Sequence, residues 1–459
     1  MNLNDVRTAY FLGIGGIGMS AIARYFKAIG IDVRGYDKTR NDFTIQLESE
    51  GFNIHYFEDT DAIPEAVLSG RNGIVIYTPA IPKDSKEYLF FLDKQVRLYK
   101  RAEVLGMISR NSFTIAVAGT HGKTTTSSMI AHMLHECGVN FTAFLGGIST
   151  NFESNYVHKT DGISLFEQQI MVVEADEFDR SFLHLHPNIA IVTSTDADHL
   201  DIYGQAEEVK KSFQEFVECL VEGGTAILHD TLELQFGGDL ILYGHSPRAI
   251  AAYSDITIQD YKFCYKYKFN DIHLDVKNAM PGFHNVENST AAITLGIKLG
   301  LPVKYVLGSC LTFKGVKRRF EYIFNSPEKV VIDDYAHHPT ELKACIRSVR
   351  ELYPEKKLTG IFQPHLFTRT RDFADGFAEA LDMLDECWLM DIYPARELPI
   401  EGINSEFLAL KMNKNPLLIG KENILKKLET ELPELLLIVG AGDIDQLVKP
   451  IKSTYEKNS

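Results

Sequence analysis

Short apolar runs recur along the chain, and each is followed by a glycine-rich or polar turn and then by residues with helical spacing. Apart from residues 31–35, which read IDVRG, the runs lack the alternation of a half-exposed strand. Such continuous apolar runs are typical of strands buried on both faces of a parallel sheet. Strand, turn and helix in repeated order predict an α/β fold. The runs that open this pattern lie at residues 9–12, 31–35, 115–117, 170–173 and 189–193.

The order of these elements predicts three domains, at residues 1–108, 109–313 and 314–459. The length fits this division, because a domain has roughly 150 residues. Residues 250–276 alternate between apolar and polar positions and predict partly exposed, antiparallel strands within the second domain. In the third domain polar residues collect after each strand, which predicts a doubly wound sheet with its active edge at the strand carboxyl ends.

The composition narrows the class of function. Hydrophobic residues make up 45% of the chain and charged residues 24%, as in globular enzymes. The net charge of −15 argues against nucleic-acid binding, and the six scattered cysteines indicate reduced thiols in the cytoplasm. Because no apolar run reaches the ~18 residues of a membrane span and no signal peptide is recognised, we expect a cytoplasmic protein without a membrane partner.

The sequence TIAVAGTHGKTTTS at residues 114–127 carries the clearest chemical signal. A strand, a glycine-rich turn, Lys-Thr and a helix start predict an ATP phosphate loop, because backbone N–H groups and the helix dipole face the phosphates. Val117 stands where the longer form of this motif has a glycine, so the match is to the shorter form, and an ordinary strand–turn–helix is the alternative. The residues predicted to bind ATP here are Gly119, Thr120, His121, Gly122, Lys123, Thr124 and Thr125.

Polar side chains follow the strands at residues 170–173 and 189–193, at the edge where open α/β sheets bind ligands. Glu174 follows the first strand and His199 follows the second. With the Thr124 hydroxyl, these side chains predict a site for Mg²⁺, or Mn²⁺ in its place, on the triphosphate. A lone surface histidine is the alternative for His199, and a helix cap is the alternative for the neighbouring Asp198.

The first domain opens with GIGGIG at residues 13–18, after a strand and before a helix. With the acidic Asp37 about 20 residues on, this pattern predicts a ligand that has a pyrophosphate and a ribose. NAD and a UDP-sugar both qualify, and a structural turn is the alternative. Lys100 and Arg101, at a later helix start, predict an anion contact or, alternatively, a solvated basic pair.

Two further clusters are candidates for nucleotide contacts. Asn285 and Asn288 lie three residues apart after His284, so two amides share a helix face that suits adenine, unless Asn285 only caps the helix. From the third domain, Arg319 is predicted to reach the γ-phosphate, which would require domain closure. Other polar residues that follow strands of this domain are Asp333, Asp334, His337, His338, His365, Arg369 and Arg371.

A diphosphate site, an ATP site and a third polar site together indicate one chemistry. A dehydrogenase would not need the second domain, and a phosphatase or a switch GTPase would not need the first. ATP with a carboxylate and an amine suggests phosphorylation of the carboxylate, followed by attack of the amine on the acyl phosphate.

Eight segments, in order over nearly the whole chain, resemble the Mur ligase family of peptidoglycan synthesis. They are GIGGIGMS, AGTHGKTTT, EADEFDRSFLHLHP, DADHLDIYG, GFHNVENSTAA, FKGVKRRFE, DDYAHHPTE and FQPHLFTRT. The resemblance implies a Rossmann-like UDP-sugar domain, a central P-loop ATPase domain with a mostly parallel sheet, and a Rossmann-like amino-acid domain. It also implies ATP-dependent ligation of L-alanine to the lactyl carboxylate of UDP-N-acetylmuramate, a step of cell wall biogenesis and hence of cell shape and division.

The resemblance implies roles for individual residues as well. The implied catalytic residues are Lys123, His199, His337 and Arg319. The implied metal ligands are Thr124, Glu174 and His199, and the implied nucleotide contacts outside the loop are His284, Asn285, Asn288, Arg319 and Asp334. With the anion contact Arg101, the substrate residues are Gly15, Gly16, Gly18, Asp37, His121, His365 and Arg369, where His121 lies on the turn that the phosphoryl group must cross.

Some positions depart from the family pattern. Gln214 stands where many relatives have a carbamoylated lysine, and Ser194 stands where relatives usually have asparagine. Leu366 and Phe367 replace the more usual Arg-Tyr. The resemblance therefore implies least about a second metal ion and about the contacts to alanine.

Three other functions stay open at this point. A recycling ligase that joins a tripeptide to the same UDP-sugar shares the chemistry, although GIGGIGMS and SFLHLHP favour the alanine-adding enzyme. GIGGIG and Asp37 alone would suit an NAD-dependent oxidoreductase, and the phosphate loop alone would suit a nucleotide-switched binding module. For the ligase, the expected partners are the two small-molecule substrates, and the expected state is a monomer or a weak homodimer.

Overall fold

The computed structural model describes residues 3–69, 72–196, 206–395 and 397–458. Within these ranges strands alternate with helices, which confirms the predicted α/β class. The chain divides into two units, one of residues 1–255, 265–276 and 287–313, the other of residues 256–264, 277–286 and 314–459. The three predicted domain borders stay a prediction. Among the residues that the structure describes, every helix is too short or too polar to span a membrane.

The first sheet has five parallel strands in the order β3-β2-β1-β4-β5. Strand β1 is fully buried because it is central and helices pack on the sheet. The strands are β1 Thr8–Leu12, β2 Asp32–Tyr36, β3 Asn53–His55, β4 Gly73–Tyr77 and β5 Leu98–Lys100. The helices are α1 Ile17–Ala28, α2 Asp42–Ser49, α3 Glu65–Leu68, α4 Lys86–Asp93 and α5 Arg101–Ser109.

The second sheet has ten strands in the order β15-β14-β13-β12-β11-β10-β6-β9-β7-β8. Strand β6 is parallel to both neighbours, β10 and β9, so their carboxyl ends share one edge. The strands are β6 Phe113–Ala118, β7 Phe141–Ser149, β8 Ser154–Lys159, β9 Ile170–Glu174, β10 Ile189–Val192, β11 Thr225–His229, β12 Asp239–Gly244, β13 Ala251–Gln259, β14 Lys262–Phe269 and β15 Ile272–Asn278. The helices are α6 Lys123–Glu136, α7 Ala206–Glu218, α8 Phe283–Lys298 and α9 Val303–Thr312.

Helix α1, which follows the glycine-rich turn, packs against strands β7 and β8 of the second sheet. The buried Asn155 of β8 donates from Nδ2 to the Ile17 carbonyl at 2.5 Å and accepts from Arg24 at 2.8 Å. Beside this contact the rings of Tyr25 and Phe144 lie 5.6 Å apart. The two sheets therefore share one continuous apolar core.

The third sheet has six strands in the order β16-β17-β21-β18-β19-β20. In this sheet β16 and β17 are antiparallel, and the remaining pairs are parallel. The carboxyl ends of β17 to β21 therefore line one edge. The strands are β16 Glu321–Asn325, β17 Val330–Asp334, β18 Leu358–Phe362, β19 Glu386–Leu389, β20 Leu417–Leu418 and β21 Leu435–Val439. The helices are α10 Pro339–Leu352, α11 Phe367–Asp372, α12 Ala374–Leu381, α13 Ser405–Ala409, α14 Lys421–Thr430 and α15 Val448–Lys457.

Candidate active site

The predicted phosphate loop joins the end of β6 to the start of α6. Gly119 has φ +136° and Gly122 has φ +82°, and a Cβ at either position would collide with a neighbour. At Gly119 it would lie 2.1 Å from Thr193 Oγ1, and at Gly122 it would lie 2.6 Å from Asn288 Oδ1. Val117 lies inside β6 and is paired with both neighbouring strands, so it is not part of the turn. The shorter form of the motif, residues 119–124, therefore accounts for the turn between β6 and α6.

The residues that follow β10 brace this loop. The N–H of Thr120 donates to the Ser194 carbonyl at 3.1 Å, and the N–H of His121 donates to Ser194 Oγ at 2.8 Å. The Thr120 hydroxyl donates to the Asp196 carbonyl at 2.9 Å. The Thr193 hydroxyl also donates to the His121 carbonyl. Ser194, noted in the sequence only as a departure from the family, therefore shapes the turn.

The Lys123 ammonium lies inside the loop. It donates to the carbonyl oxygens of Gly119 at 2.6 Å and Thr120 at 3.3 Å, and to Glu177 Oε1 at 2.9 Å. Burial lowers the pKa of Lys123, but the carboxylates of Glu177 and Glu174 outweigh burial, and the net pKa is raised. The ammonium is therefore a fixed positive charge at the predicted phosphate position.

The predicted metal side of the site has two converging oxygen groups. The Thr124 hydroxyl donates to Glu174 Oε1 at 3.0 Å, and the Gly146 N–H donates to Glu174 Oε2 at 2.9 Å. Burial raises the pKa of Glu174, and the neighbouring Lys123 opposes this shift. A hydroxyl beside a carboxylate at a triphosphate loop suits Mg²⁺, which keeps several waters and takes few protein ligands. The third predicted ligand, His199, and its neighbour Asp198 lie outside the described residues.

Gln214, where many relatives have the modified lysine, is held by backbone groups in this chain. Its amide donates to the Gln235 carbonyl at 2.9 Å and accepts from the Gln235 N–H at 2.9 Å. It also donates to Glu218 Oε1 at 3.0 Å. Both ends of the amide are therefore engaged with Gln235 and Glu218.

The two asparagines predicted to face adenine have different surroundings, although both lie on α8. Asn288 accepts from the Thr126 hydroxyl at 3.1 Å and contacts the phosphate loop at Gly122. Asn285 donates from its amide to the Pro281 carbonyl at 2.6 Å, so it ties the helix to the segment before it. His284 lies against Gly282 in that same segment. The contact of all three side chains with adenine stays a prediction.

The glycine-rich loop of the first sheet brings three predicted substrate residues together. The Gly15 N–H donates to Asp37 Oδ2 at 2.8 Å, and a Cβ at Gly15 would collide with that carboxylate and with Thr44. A Cβ at Gly18 would lie 2.2 Å from Arg101 Nη1, so this guanidinium covers the loop. Gly16, by contrast, has room for a Cβ.

Arg101 also links this loop to the second sheet. Its Nη2 atom lies 3.5 Å from Oδ2 of Asp176, a residue that follows β9. Asp176 stands between Glu174 and Glu177, which face the phosphate loop. Arg101 thus connects the glycine-rich loop with the polar segment that follows β9.

In the third sheet, polar residues gather at the strand carboxyl ends as predicted. Nδ1 of His337 lies 3.0 Å from the Tyr335 carbonyl, which only accepts, so Nδ1 carries the proton and Nε2 is the acceptor. Burial lowers the pKa of His337 more than the neighbouring Glu341 raises it, and the net shift favours the neutral imidazole. Glu341 also lies 3.7 Å from Arg319 Nη1.

His365 and Arg369 are neighbours in this cluster. Their Nδ1 and Nη1 atoms are 3.5 Å apart, and the His365 ring stacks on Tyr393 with ring centres 5.8 Å apart. The next residue, Leu366, has φ +71° and ψ 135°, a region that costs a side chain on the order of 1–3 kcal/mol. Its N–H donates to the Tyr393 carbonyl at 2.9 Å. The departure from the family pattern therefore falls on a strained turn.

Asp334, predicted to serve the nucleotide, uses both oxygens within its own unit. Oδ2 accepts from the Phe320 N–H at 2.7 Å, and Oδ1 accepts from the Ala336 N–H at 2.8 Å. These bonds fix the segment that carries Arg319. The role of Asp334 toward the nucleotide stays a prediction, and so does the role of Arg319.

Sequence reasoning missed two residues that contact the predicted phosphate and metal residues. Glu177 lies in the segment EADEFDRSFLHLHP, in which only Glu174 was given a role, yet Glu177 pairs with Lys123. Gly146 carried no signal at all, because its contact with Glu174 depends on the neighbouring position of β7 and β9 in the sheet. The local sequence of neither residue reveals its partner.

Three family models match consecutive parts of the chain. Residues 8–113 match the Mur ligase family catalytic domain, residues 117–296 match the Mur ligase middle domain, and residues 318–443 match the Mur ligase glutamate ligase domain. Together the matches cover most of the sequence.

Curated relatives match over the full length. The UDP-N-acetylmuramate–L-alanine ligase of Flavobacterium johnsoniae is 45% identical over 100% of both chains, and that of Porphyromonas gingivalis (strain ATCC 33277) is 46% identical over 97% of this chain and 98% of its own. Among solved structures, the UDP-N-acetylmuramate-alanine ligase MurC of Thermotoga maritima has 29% identity and a TM-score of 0.81, covering 98% of this chain and 100% of its own. A murein peptide ligase of Psychrobacter arcticus, at 23% identity and a TM-score of 0.67 over 98% of both chains, shares the fold.

Proposed function

Because the chain belongs to the Mur ligase family, we propose that it joins L-alanine to the lactyl carboxylate of UDP-N-acetylmuramate with conversion of ATP to ADP and phosphate. The full-length match to relatives of that name carries the proposal. The phosphate loop with Lys123, beside a glycine-rich loop covered by Arg101, supports it chemically. The predicted resemblance is thereby confirmed, and a ligase is favoured over the oxidoreductase and the binding module.

The first step requires that the sugar carboxylate, which accepts the phosphoryl group, is held next to ATP, which donates it. The sugar carboxylate attacks the γ-phosphorus, the bond to the β-phosphate oxygen breaks, and an acyl phosphate forms. Lys123 supplies positive charge to the transferred phosphoryl group, and the backbone N–H groups at the start of α6, with the helix dipole, hold the remaining phosphates. A bound Mg²⁺, held by Thr124 and Glu174, would neutralise further charge on the phosphates.

The alanine amine then attacks the acyl carbon, phosphate leaves, and the amine loses a proton. His337, one of the implied catalytic residues, has Nε2 as its acceptor because Nδ1 donates to the Tyr335 carbonyl. We assign it the role of receiving this proton. His365 and Arg369 lie beside it, with 6.2 Å between the two histidine ring centres, and Arg369 has the charge that an amino-acid carboxylate requires.

Replacing His337 with glutamine is expected to lower kcat roughly 100-fold or more, because the amide cannot take the proton. Steady-state ADP release at saturating alanine measures this loss, and ADP affinity is expected to stay the same. The same substitution at the exposed His273 serves as the control. A kcat within about twofold of wild type would remove His337 from the proposed mechanism.

The choice of amine is tested directly. Purified protein with ATP, Mg²⁺ and UDP-N-acetylmuramate is offered either L-alanine or the tripeptide of cell wall recycling, and ADP release and the coupled product are measured. We expect product with L-alanine. Incorporation of the tripeptide alone would overturn the proposal in favour of the recycling ligase. The cytoplasmic location and the monomer or weak homodimer stay predictions from sequence.

A further inference from the structure

Two carboxylates three residues apart face the phosphate loop, but they contact different parts of it. Glu174 accepts from the Thr124 hydroxyl and the Gly146 N–H, which is the arrangement of the predicted metal side. Glu177 instead faces the Lys123 ammonium with both oxygens, at 2.9 Å and 2.8 Å. The proposed function assigns no task to Glu177.

The ion pair is enclosed, since only 13% of the Lys123 side chain and 3% of the Glu177 side chain are exposed. A buried pair of opposite charges at this distance is held firmly, because separating it leaves an uncompensated charge. The backbone of Glu177 is also fixed, as its carbonyl accepts from the Arg180 N–H at 2.9 Å at the start of a 3₁₀ helix, Phe178–His184. Glu177 is therefore a rigid anchor.

An ammonium has three N–H groups, and in this structure its partners are Glu177, Gly119 and Thr120. The contact with the Thr120 carbonyl, at 3.3 Å, is the longest and hence the weakest. It is the contact that a phosphate oxygen would replace most easily, because a charged acceptor makes a stronger hydrogen bond.

We propose that Glu177 is a positioning residue: it holds the Lys123 ammonium at the mouth of the phosphate loop before the nucleotide binds and keeps that contact afterwards. The triphosphate then takes over the N–H now directed at Thr120. A lysine side chain loses considerable rotamer freedom when it is ordered, and Glu177 meets that cost before ATP arrives. The proposal deepens the function proposed above and rests on the phosphate site of that ligase.

The test measures nucleotide binding alone, without sugar or alanine, so that its outcome can be interpreted even if the ligase assignment fails. Affinity for MgADP and for a non-hydrolysable MgATP analogue is measured by calorimetry on the full-length protein. Glu177→Gln is expected to weaken binding of the ATP analogue roughly 10- to 100-fold. Glu177→Asp, which keeps the charge, is expected to recover part of the loss. Unchanged or tighter binding by Glu177→Gln would overturn the proposal.

A double-mutant cycle separates positioning from a general structural role. If Glu177 acts through Lys123, then Glu177→Gln changes affinity little once Lys123 has been replaced by methionine. Equal losses in both backgrounds would contradict the proposal. Glu208→Gln is the matched control, because it makes the same change on a half-exposed carboxylate that pairs with Arg180 at 3.2 Å. In turnover assays we also expect a higher KM for ATP with unchanged KM values for the sugar and alanine.

Discussion

Replacing Lys123 with alanine is expected to reduce ligation by at least about 1,000-fold, while UDP-N-acetylmuramate still binds. The ammonium is the fixed positive charge inside the phosphate loop, so its loss removes charge stabilisation from phosphoryl transfer. The predicted sugar residues lie on the glycine-rich loop of another sheet, where Arg101 and Asp37 remain in place. Coupled ADP release measures the reaction, and calorimetry measures the sugar.

A control separates this effect from unfolding. Lys210→Ala removes a lysine from α7 whose side chain is 60% exposed, and it should change neither turnover nor the melting temperature. Lys123→Ala also removes the cation beside Glu177, so its melting temperature is followed by circular dichroism. A variant that lost the sugar but bound the MgATP analogue as tightly as wild type would show that the two sites have been assigned the wrong way round.

Replacing Gly146 with alanine is expected to lower turnover by roughly 100-fold and to raise the concentration of Mg²⁺ needed for half-maximal activity. The added Cβ would lie 2.2 Å from both carboxylate oxygens of Glu174, so this flexible side chain must swing away from Thr124. The fold itself should tolerate the change, because the end of a side chain moves and the backbone does not. Mg²⁺ titration of ADP release, with a parallel thermal melt, measures both effects.

Gly308→Ala provides the matched control for this substitution. Gly308 lies in α9, and a Cβ there meets no atom within 4 Å. Alanine in a helix interior should raise stability by about 0.5–1 kcal/mol and leave Mg²⁺ dependence unchanged. If Gly146→Ala showed wild-type Mg²⁺ dependence, Glu174 would not be acting at the metal.

What the sequence predicted well was local. The strand, the glycine turn and the helix of the predicted phosphate loop lie within one short segment and form as expected. The apolar runs likewise predict strands, because parallel strands covered on both faces have a continuous apolar pattern. Val117 departs from the longer form of the loop motif because it lies inside strand β6 and is not part of the turn.

What the sequence could not predict depends on pairing between distant segments. Gly146 meets Glu174 only because β7 lies beside β9, and Ser194 meets His121 only because β10 lies beside β6. Spacing alone also did not give the contacts of Asn285 and Asn288: Asn288 accepts from the Thr126 hydroxyl, and Asn285 donates to the Pro281 carbonyl. Such contacts follow from sheet order, which no single stretch of sequence encodes.

The packing of α1 on β8 has a consequence for how this chain can be cut or recombined. Asn155 holds the Ile17 carbonyl and Arg24 from the second sheet, and one apolar core runs through both sheets. A fragment that stopped at residue 108 would expose the α1 face to water and lose its polar anchor. Residues 1–108 are therefore not an independently exchangeable segment. Chimaeras between relatives should take α1 and the β7–β8 hairpin from the same parent.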